Sequence, residues 1–404
     1  MKVEIKPGRA SGKIIAPPSK SVAHRLLICA ALSDGVSRIS GISDCDDVRA
    51  TLDSLSALGV KTERCGDDII ITGKNMLTAV PRGTLWCAES GSTLRFLIPI
   101  ALLSGKTTML CGKGRLMQRP MDIYEKICNE RGLVFIKDGE SITVKGPLKG
   151  GEFSVAGNVS SQFISGLLFA LPLLKKDSRI KIAPPIESRS YIEMTLDALR
   201  QFGVSAKWED DYTLFIKGSQ AYKPQNLAVE GDWSGAAFPE ALKLFGGDVT
   251  VMGLREDTIQ GDRVFRRYFE LLSGGVPTIH IGDCPDLGPI LFAMAAARCG
   301  GVFTGTKRLK IKESDRAAAM AEELKKFGTS VSVYDDKVIV YPAAFHKPSE
   351  ELSGHSDHRI VMSLAILLTK TGGIINGIEA VKKSYPAFFD DLRALGIEVT
   401  EYEA

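Results

Sequence analysis

The chain has 404 residues, of which 44% are hydrophobic and 25% charged, and its net charge is +3. That length is too great for one ordinary core and points to two domains. So small a charge surplus gives no reason to expect a nucleic-acid or a membrane surface. The apolar runs at 167–174 and 290–297 are far shorter than a membrane span, and the first residues lack the apolar segment of a signal peptide. The 8 cysteines are scattered without a Cys-x-x-Cys pair, which argues against zinc and against a disulfide framework. A reducing cytoplasm is the expected location.

In chain order, residues 1–15 read as strand-like sequence that precedes the first unit and can belong with the second half. Pro17 and Pro18 stop that run, and Ser19 then stands at an N-cap position before an apolar helix over 22–32. Lys20 and Ser21 fall in the first turn, and Arg25 lies four residues after Ser21 on the same face. Cations at a helix start oppose the helix dipole unless an anion sits between them, so this stretch is a candidate anion site. A turn and a strand over 36–42 follow. The same order returns in 94–110, 163–182, 236–252, 290–304 and 360–375.

After each of these comes an amphipathic helix that ends in glycine and leads into a strand: 52–62, 127–136, 196–208, 268–281, 324–333 and 392–400. In several copies an acidic turn continues into a second strand, as at 66–72, 209–216 and 335–341, which reads as a hairpin. The pattern is therefore six βαβαββ repeats with a period of roughly seventy residues. The predicted class is α/β (α+β) with three repeats per domain. The predicted division places 1–18 with 225–404 in one domain and 19–224 in the other.

The informative polar residues recur at two places in the repeat. At the start of the first helix stand Lys20, Ser21 and Arg25; Gly91, Ser92 and Arg95; Ser160, Ser161 and Gln162; Asp232 and Ser234; Asp286; and Asp357, His358 and Arg359. In the loop before the second helix stand Arg115 and Arg119; Glu187, Ser188 and Arg189; Lys312, Glu313, Asp315 and Arg316; and Lys382 and Lys383. If the repeats pack with their helices aligned, these ends gather into a cleft lined with helix N-termini, cations and small hydroxyls. That chemistry suits a multiply anionic small molecule. Each piece has a plain alternative reading: Ser160–Ser161–Gln162 as a helix cap, 312–316 as a solvated charge run, Asp44, Asp46 and Asp47 as helix-start acids. Their joint placement carries the inference.

Over essentially its full length the chain resembles the 3-phosphoshikimate 1-carboxyvinyltransferases, the EPSP synthase family. The matching stretches are Pro18-Ser19-Lys20-Ser21 with Arg25, Gly91 with Arg95, Gln118-Arg119-Pro120-Met121, Ser160-Ser161-Gln162-Phe163, Lys312-Glu313-Ser314-Asp315-Arg316, Asp357-His358-Arg359 and Lys383-Ser384-Tyr385-Pro386. The resemblance implies a two-domain enolpyruvyl transferase-like fold with three repeats around a pseudo-threefold axis in each domain. It implies transfer of an enolpyruvyl group from phosphoenolpyruvate to the 5-hydroxyl of shikimate 3-phosphate, with release of phosphate and no metal or organic cofactor. A monomer is expected, with no nucleic-acid or membrane partner.

By the same resemblance, Lys20, Ser21, Arg25, Ser160, Ser161, Gln162, Ser188, Asp286 and Lys312 would hold shikimate 3-phosphate. Lys20, Gly91, Arg119, Gln162, Arg316, Arg359 and Lys383 would hold phosphoenolpyruvate, with Arg95 and Tyr191 as neighbours. The reaction needs one proton delivered to a methylene carbon and another removed from a hydroxyl, hence two groups able to exchange roles. Glu313 is expected to handle the methylene proton and Asp286 the hydroxyl, with Lys20, His358 and Lys383 in support.

Two departures from the family pattern stand out. Arg308 occupies a position where some members carry Asn, and Glu89-Ser90-Gly91-Ser92 differs from Asn-Ala-Gly-Thr while keeping the glycine. A small residue at Gly91 leaves room for glyphosate, so inhibition by that compound is expected. The alternative enzyme is UDP-N-acetylglucosamine 1-carboxyvinyltransferase, which shares the fold and the donor. That family has Lys-Asn in place of Lys20-Ser21, and Cys or Asp in place of Gly114. A non-catalytic anion-binding protein on the same scaffold would be expected to lack the acid/base pair.

Overall fold

The computed structural model describes residues 1–403 and divides into two compact units. One unit is Lys20–Glu230, and the other joins Met1–Ser19 to the chain from Gly231 onwards.

The helices of Lys20–Glu230 are α1 (Lys20–Leu32), α2 (Asp46–Ala57), α3 (Gly91–Ala101), α4 (Asp122–Glu130), α5 (Ser161–Ala170) and α6 (Arg189–Gln201). Three four-stranded sheets share one spatial plan. In the second repeat Leu85–Trp86 lies parallel to Thr107–Cys111 across α3, and Thr107–Cys111 lies antiparallel to the closing hairpin strand Ser141–Lys145. Val134–Lys137 forms the outer edge. Glu152–Ala156, Ser178–Ala183, Thr213–Ile216 and Ala206–Trp208 repeat the plan around α5 and α6.

The first repeat is assembled from both ends of the unit. Its leading strand, Asn226–Ala228, pairs in parallel with Arg38–Ser40, so these residues stay with Lys20–Glu230 although the sequence division at 224/225 assigns them to the other half. In this repeat Val36–Ser40 is followed by α2 and by a hairpin of Lys61–Cys65 with Asp68–Thr72.

α1, α3 and α5 are buried over almost their whole length, which explains why they are apolar on nearly every side beyond their first turns. α4 and α6 keep a polar side to solvent. Gly166 lets α5 lie close to α3: a Cβ there would collide with the Tyr124 hydroxyl and the Arg95 carbonyl. The Tyr124 hydroxyl also lies 2.7 Å from the Arg95 carbonyl and 3.1 Å from that of Phe163, tying α4 to both helices.

The other unit carries α7 (Trp233–Ala241), α8 (Phe265–Gly274), α9 (Gly288–Ala297), α10 (Arg316–Lys326), α11 (His358–Thr371) and α12 (Phe388–Ala394). Thr278–His280, Gly301–Thr304, Lys337–Val340 and Val331–Val333 form one complete repeat around α9 and α10. A second runs through Leu352–Ser353, α11, Gly373–Asn376, α12 and Val399–Tyr402. Its missing strand is Lys2–Ile5, which pairs with Gly373–Asn376 on one side and Val399–Tyr402 on the other.

The remaining copy is shorter. Ser11–Ile15 pairs in parallel with Asp248–Met252 across α7, in a sheet of only these two strands among the described residues. α8 is followed directly by Thr278–His280, which opens the next repeat rather than closing this one. The strand expected after α8 is thus present over Thr278–His280, but it belongs to the neighbouring repeat.

Where the chain passes from Ser19 into α1, Gln260 fixes the local path within Met1–Ser19 and its partner segments. Its Oε1 accepts from the Ser19 hydroxyl at 3.2 Å and from the Trp233 amide at 3.1 Å, and its Nε2 donates to the Gly231 carbonyl at 2.8 Å. Ser19 stands before the helix as read from sequence, with its hydroxyl directed to this hub.

Candidate functional site

In Lys20–Glu230, polar residues at the helix starts form linked pairs. Lys20 Nζ sits 2.8 Å from Asp47 Oδ2 at the start of α2. Asp47 reads from the sequence as a helix-start acid, and here it also holds the Lys20 ammonium. Ser160 caps α5, its hydroxyl accepting from the Gln162 amide at 3.3 Å. The Gln162 side chain then bridges to α3, donating to Ser92 Oγ at 2.9 Å and accepting from Arg95 Nη1 at 2.8 Å. Gly91 opens α3, and a Cβ placed there would stand 2.7 Å from Arg119 Nη1 and 3.3 Å from Arg95 Nη1. Gly91, Arg95, Arg119, Ser161 and Gln162 therefore share one neighbourhood.

Arg25 is differently placed. Its three nitrogens donate to the Ser21 carbonyl at 2.7 Å, the Tyr191 carbonyl at 2.9 Å and the Thr195 hydroxyl at 2.9 Å, and its guanidinium lies over the Phe96 and Tyr191 rings. It ties α1 to α6, which carries Ser188 at its N-cap in the left-handed region at φ 56°. Burial pulls the Arg25 pKa down to about 10, so it stays charged at neutral pH.

The second cluster lies in the other unit and is built from the starts of α9, α10 and α11. Arg316 is nearly inaccessible, with a side-chain exposure of 1%, and three carboxylates surround it. Its Nε meets Asp357 Oδ2 at 2.9 Å, Nη1 meets Asp286 Oδ1 at 2.8 Å, and Nη2 meets Glu313 Oε2 at 2.9 Å. Lys312 Nζ stands 3.1 Å from the same Asp286 oxygen, and Lys383 Nζ lies 3.6 Å from Glu313 Oε1. Asp357 also caps α11, accepting from the Arg359 amide at 2.9 Å, and His358 Nδ1 lies 3.8 Å from its Oδ1.

Arg359 is the member with capacity to spare. Its Nη2 approaches Asp286 Oδ2 at 3.4 Å, while Nε and Nη1 are buried and make no hydrogen bond among the described residues. Buried donors of this kind are costly unless something accepts from them, so the group is suited to an anion.

The electrostatics of the cluster are set by proximity. Burial alone would raise the Asp286 carboxyl, but Lys312, Arg359 and Arg316 hold it well below the usual carboxylate range. Burial lowers the Lys312 ammonium below its ordinary value despite Asp286 beside it. Burial also opposes the Arg359 charge, yet Asp286 and Asp232 keep its pKa raised. Arg308 Nη2 donates to the Gly282 carbonyl at 2.6 Å, which gives this departure from the family pattern a structural tie.

The structure thus places Lys20, Gly91, Arg119, Gln162, Ser160, Ser161, Ser21, Arg25 and Ser188 in one unit and Asp286, Lys312, Glu313, Arg316, His358, Arg359 and Lys383 in the other. Asp357 is the residue whose weight sequence reasoning understates. Its spacing before an apolar helix signals a cap, and only the fold brings it onto Arg316.

A family model described as EPSP synthase (3-phosphoshikimate 1-carboxyvinyltransferase) matches residues 5–392. The chain belongs to the EPSP synthase family. It is 38% identical to a 3-phosphoshikimate 1-carboxyvinyltransferase of Clostridium kluyveri, covering 99% of this chain and 98% of that protein. It is 41% identical to one of Clostridium perfringens, covering 98% of each. An EPSP synthase structure from Acinetobacter baumannii superposes with a TM-score of 0.80 over 99% of this chain and all of the other, at 24% identity, and so shows the same fold. The mixed α/β class and the repeated βαβ units expected from sequence are those of the EPSP synthase family. At Gly114, where the sugar-nucleotide enzymes carry Cys or Asp, the backbone is left-handed at φ 58° and a Cβ would collide with the Glu89 carboxylate.

Proposed function

We propose that this protein transfers the enolpyruvyl group of phosphoenolpyruvate to the 5-hydroxyl of shikimate 3-phosphate, giving 5-enolpyruvylshikimate 3-phosphate and phosphate. It acts by addition and elimination on the shikimate route to chorismate and the aromatic amino acids. The observation that carries the reading is full-length identity of about two fifths to relatives of that name, joined to a buried guanidinium with two undonated N–H-bearing nitrogens beside Asp286. The reaction is tested by phosphate release from phosphoenolpyruvate that depends on shikimate 3-phosphate.

Phosphoenolpyruvate carries a phosphate and a carboxylate, so rigid guanidinium forks suit it better than flexible ammonium groups. Arg359, Arg316, Lys383, Arg119, Lys20, Gln162 and Gly91 are assigned to it. Lys20, Ser21, Arg25, Ser160, Ser161, Gln162, Ser188, Asp286 and Lys312 are assigned to shikimate 3-phosphate. Arg25 contributes by holding α1 against α6, given that its nitrogens already donate within the fold.

Asp286 is assigned the hydroxyl proton and Glu313 the proton of the methylene carbon, supported by Lys20, His358 and Lys383. The cations around Asp286 make it a weak base in the ligand-free protein. Substrate anions that draw on the charge of Arg359, Arg316 and Lys312 raise its proton affinity when the hydroxyl arrives. The carboxylates also stabilise cationic character at the central carbon during both steps. The protein works as a monomer in the cytoplasm under this reading; no helix among the described residues is long and apolar enough to cross a membrane.

A further inference from the structure

Glu323 is a fully buried carboxylate at the far end of α10 from Arg316. Glu323 lies seven positions after Arg316, about two helical turns, so both project from one face of α10. Each grips the same short segment. Arg316 holds Asp357, and Glu323 holds the turn just before it. Glu323 Oε2 accepts from the Ser353 amide at 2.9 Å, and Oε1 lies 2.9 Å from His355 Nε2. Lys326 Nζ is 3.0 Å from Glu323 Oε2 and also donates to the Glu351 carbonyl at 3.1 Å.

The turn held in this way is not one the backbone adopts readily. His355 and Ser356 are consecutive non-glycine residues in the left-handed region, at φ 48° and 53°. The Asp357 amide closes the turn on the Gly354 carbonyl at 2.9 Å, and the Gly354 amide is anchored on the Asn376 carbonyl at 3.0 Å. What this turn delivers is the start of α11: the Asp357 carboxylate onto Arg316, and Arg359 toward Asp286.

We propose that Glu323 and His355 are positioning residues for the enolpyruvyl transfer, an ion-paired clamp that fixes the 353–356 turn and so sets where Arg359 meets phosphoenolpyruvate. The proposal rests on the function assigned above. The charges facing His355 are Glu323, Glu322 and Lys326, all on α10; the hydrogen bond to Glu323 raises the imidazole pKa, with Glu322 adding to it and Lys326 and burial opposing it. The charged clamp is therefore fully present below the ordinary imidazole value and is lost as pH rises through the raised one.

The test uses His355→Ala, His355→Gln and Glu323→Gln in the full chain. His355 is part-exposed, so its variants fold even where Glu323→Gln does not. Misplacing a guanidinium by under an ångström is expected to raise KM for phosphoenolpyruvate about tenfold in His355→Ala, with KM for shikimate 3-phosphate within twofold of wild type. His355→Gln restores part of the loss by keeping a hydrogen bond. The alkaline fall in wild-type kcat/KM for phosphoenolpyruvate contains a limb that both His355 variants lack. Unchanged KM for phosphoenolpyruvate, or equal rises for both substrates, would overturn the proposal. Amide hydrogen exchange in the substrate-free protein, faster over 353–359 in His355→Ala, reads the clamp without turnover; unchanged exchange also overturns it. A wild-type protein that releases no phosphate with shikimate 3-phosphate counts against the assigned function instead.

Discussion

His24 offers a stringent test of how the α1–α2–α3 layer is held. The imidazole is wholly buried in α1. Its Nδ1 contacts Thr51 Oγ1 at 2.8 Å, Thr51 contacts Thr93 Oγ1 at 2.6 Å, and Thr93 donates to Ser90 Oγ at 2.7 Å, a hydroxyl chain that joins the three helices. Nε2 has no hydrogen-bond partner among the described residues. A neutral ring tolerates that better than an imidazolium, which needs an acceptor at both nitrogens. Burial pushes the His24 pKa down from 6.5 to about 3.

A folded pKa below the unfolded one means that stability is fully present above about 6.5 and is lost as pH falls from there toward 3. At pH 5 the unfolded ring binds a proton and the folded ring does not, which costs about 2 kcal/mol relative to pH 7. His24→Asn keeps an amide near Thr51 and removes the titration, at a pH-independent cost of roughly 1–3 kcal/mol for lost packing. Urea unfolding of both proteins at pH 7 and pH 5 is the assay. The difference between wild type and variant shifts by about 2 kcal/mol in the variant's favour at the lower pH. Parallel losses in the two proteins would refute the buried neutral imidazole.

Gly91→Ala places a methyl group 2.7 Å from Arg119 Nη1, so the guanidinium end must retreat by several tenths of an ångström. The expected result is a KM for phosphoenolpyruvate raised about tenfold with an unchanged melting temperature, and steady-state kinetics with a thermal melt check both. Glyphosate is expected to inhibit the wild type in competition with phosphoenolpyruvate, and an inhibition constant far above the KM for that substrate counts against the small-residue argument. Asp357→Ala removes both the cap of α11 and the Nε partner of a buried Arg316, and is expected to destabilise the protein by about 3–5 kcal/mol in denaturant titration. Glu313→Gln and Asp286→Asn should each reduce kcat by at least about a hundredfold with circular dichroism intact, and near-normal turnover in either removes that residue from its proton-transfer role.

The apolar centres of the helices were legible in the sequence through their periodicity, and their starts through the small and polar residues that recur before them. Residues 94–103 and 163–174 read as helical because their periodicity is strong, and the polar clusters read as helix starts fall where α3 begins at Gly91 and α5 at Ser161. The first-turn residues are small or polar and carry no hydrophobic signal of their own. The same logic explains the repeats. Recurring helix ends revealed the plan, but periodicity is silent on pairing partners. It could not show that Asn226–Ala228 lead the first repeat, that Lys2–Ile5 complete the last, or that the α8 copy lacks its hairpin. Asp47 reads as a helix-start acid, and Glu323 carries no sequence signal at all, because only tertiary contact gives them Lys20 and the 353–356 turn.

The most direct measurement is phosphate release from phosphoenolpyruvate with shikimate 3-phosphate and UDP-N-acetylglucosamine as acceptors in parallel. Release with shikimate 3-phosphate alone is the predicted result. Release with the sugar nucleotide alone, or with neither acceptor from folded protein, would contradict the assigned reaction.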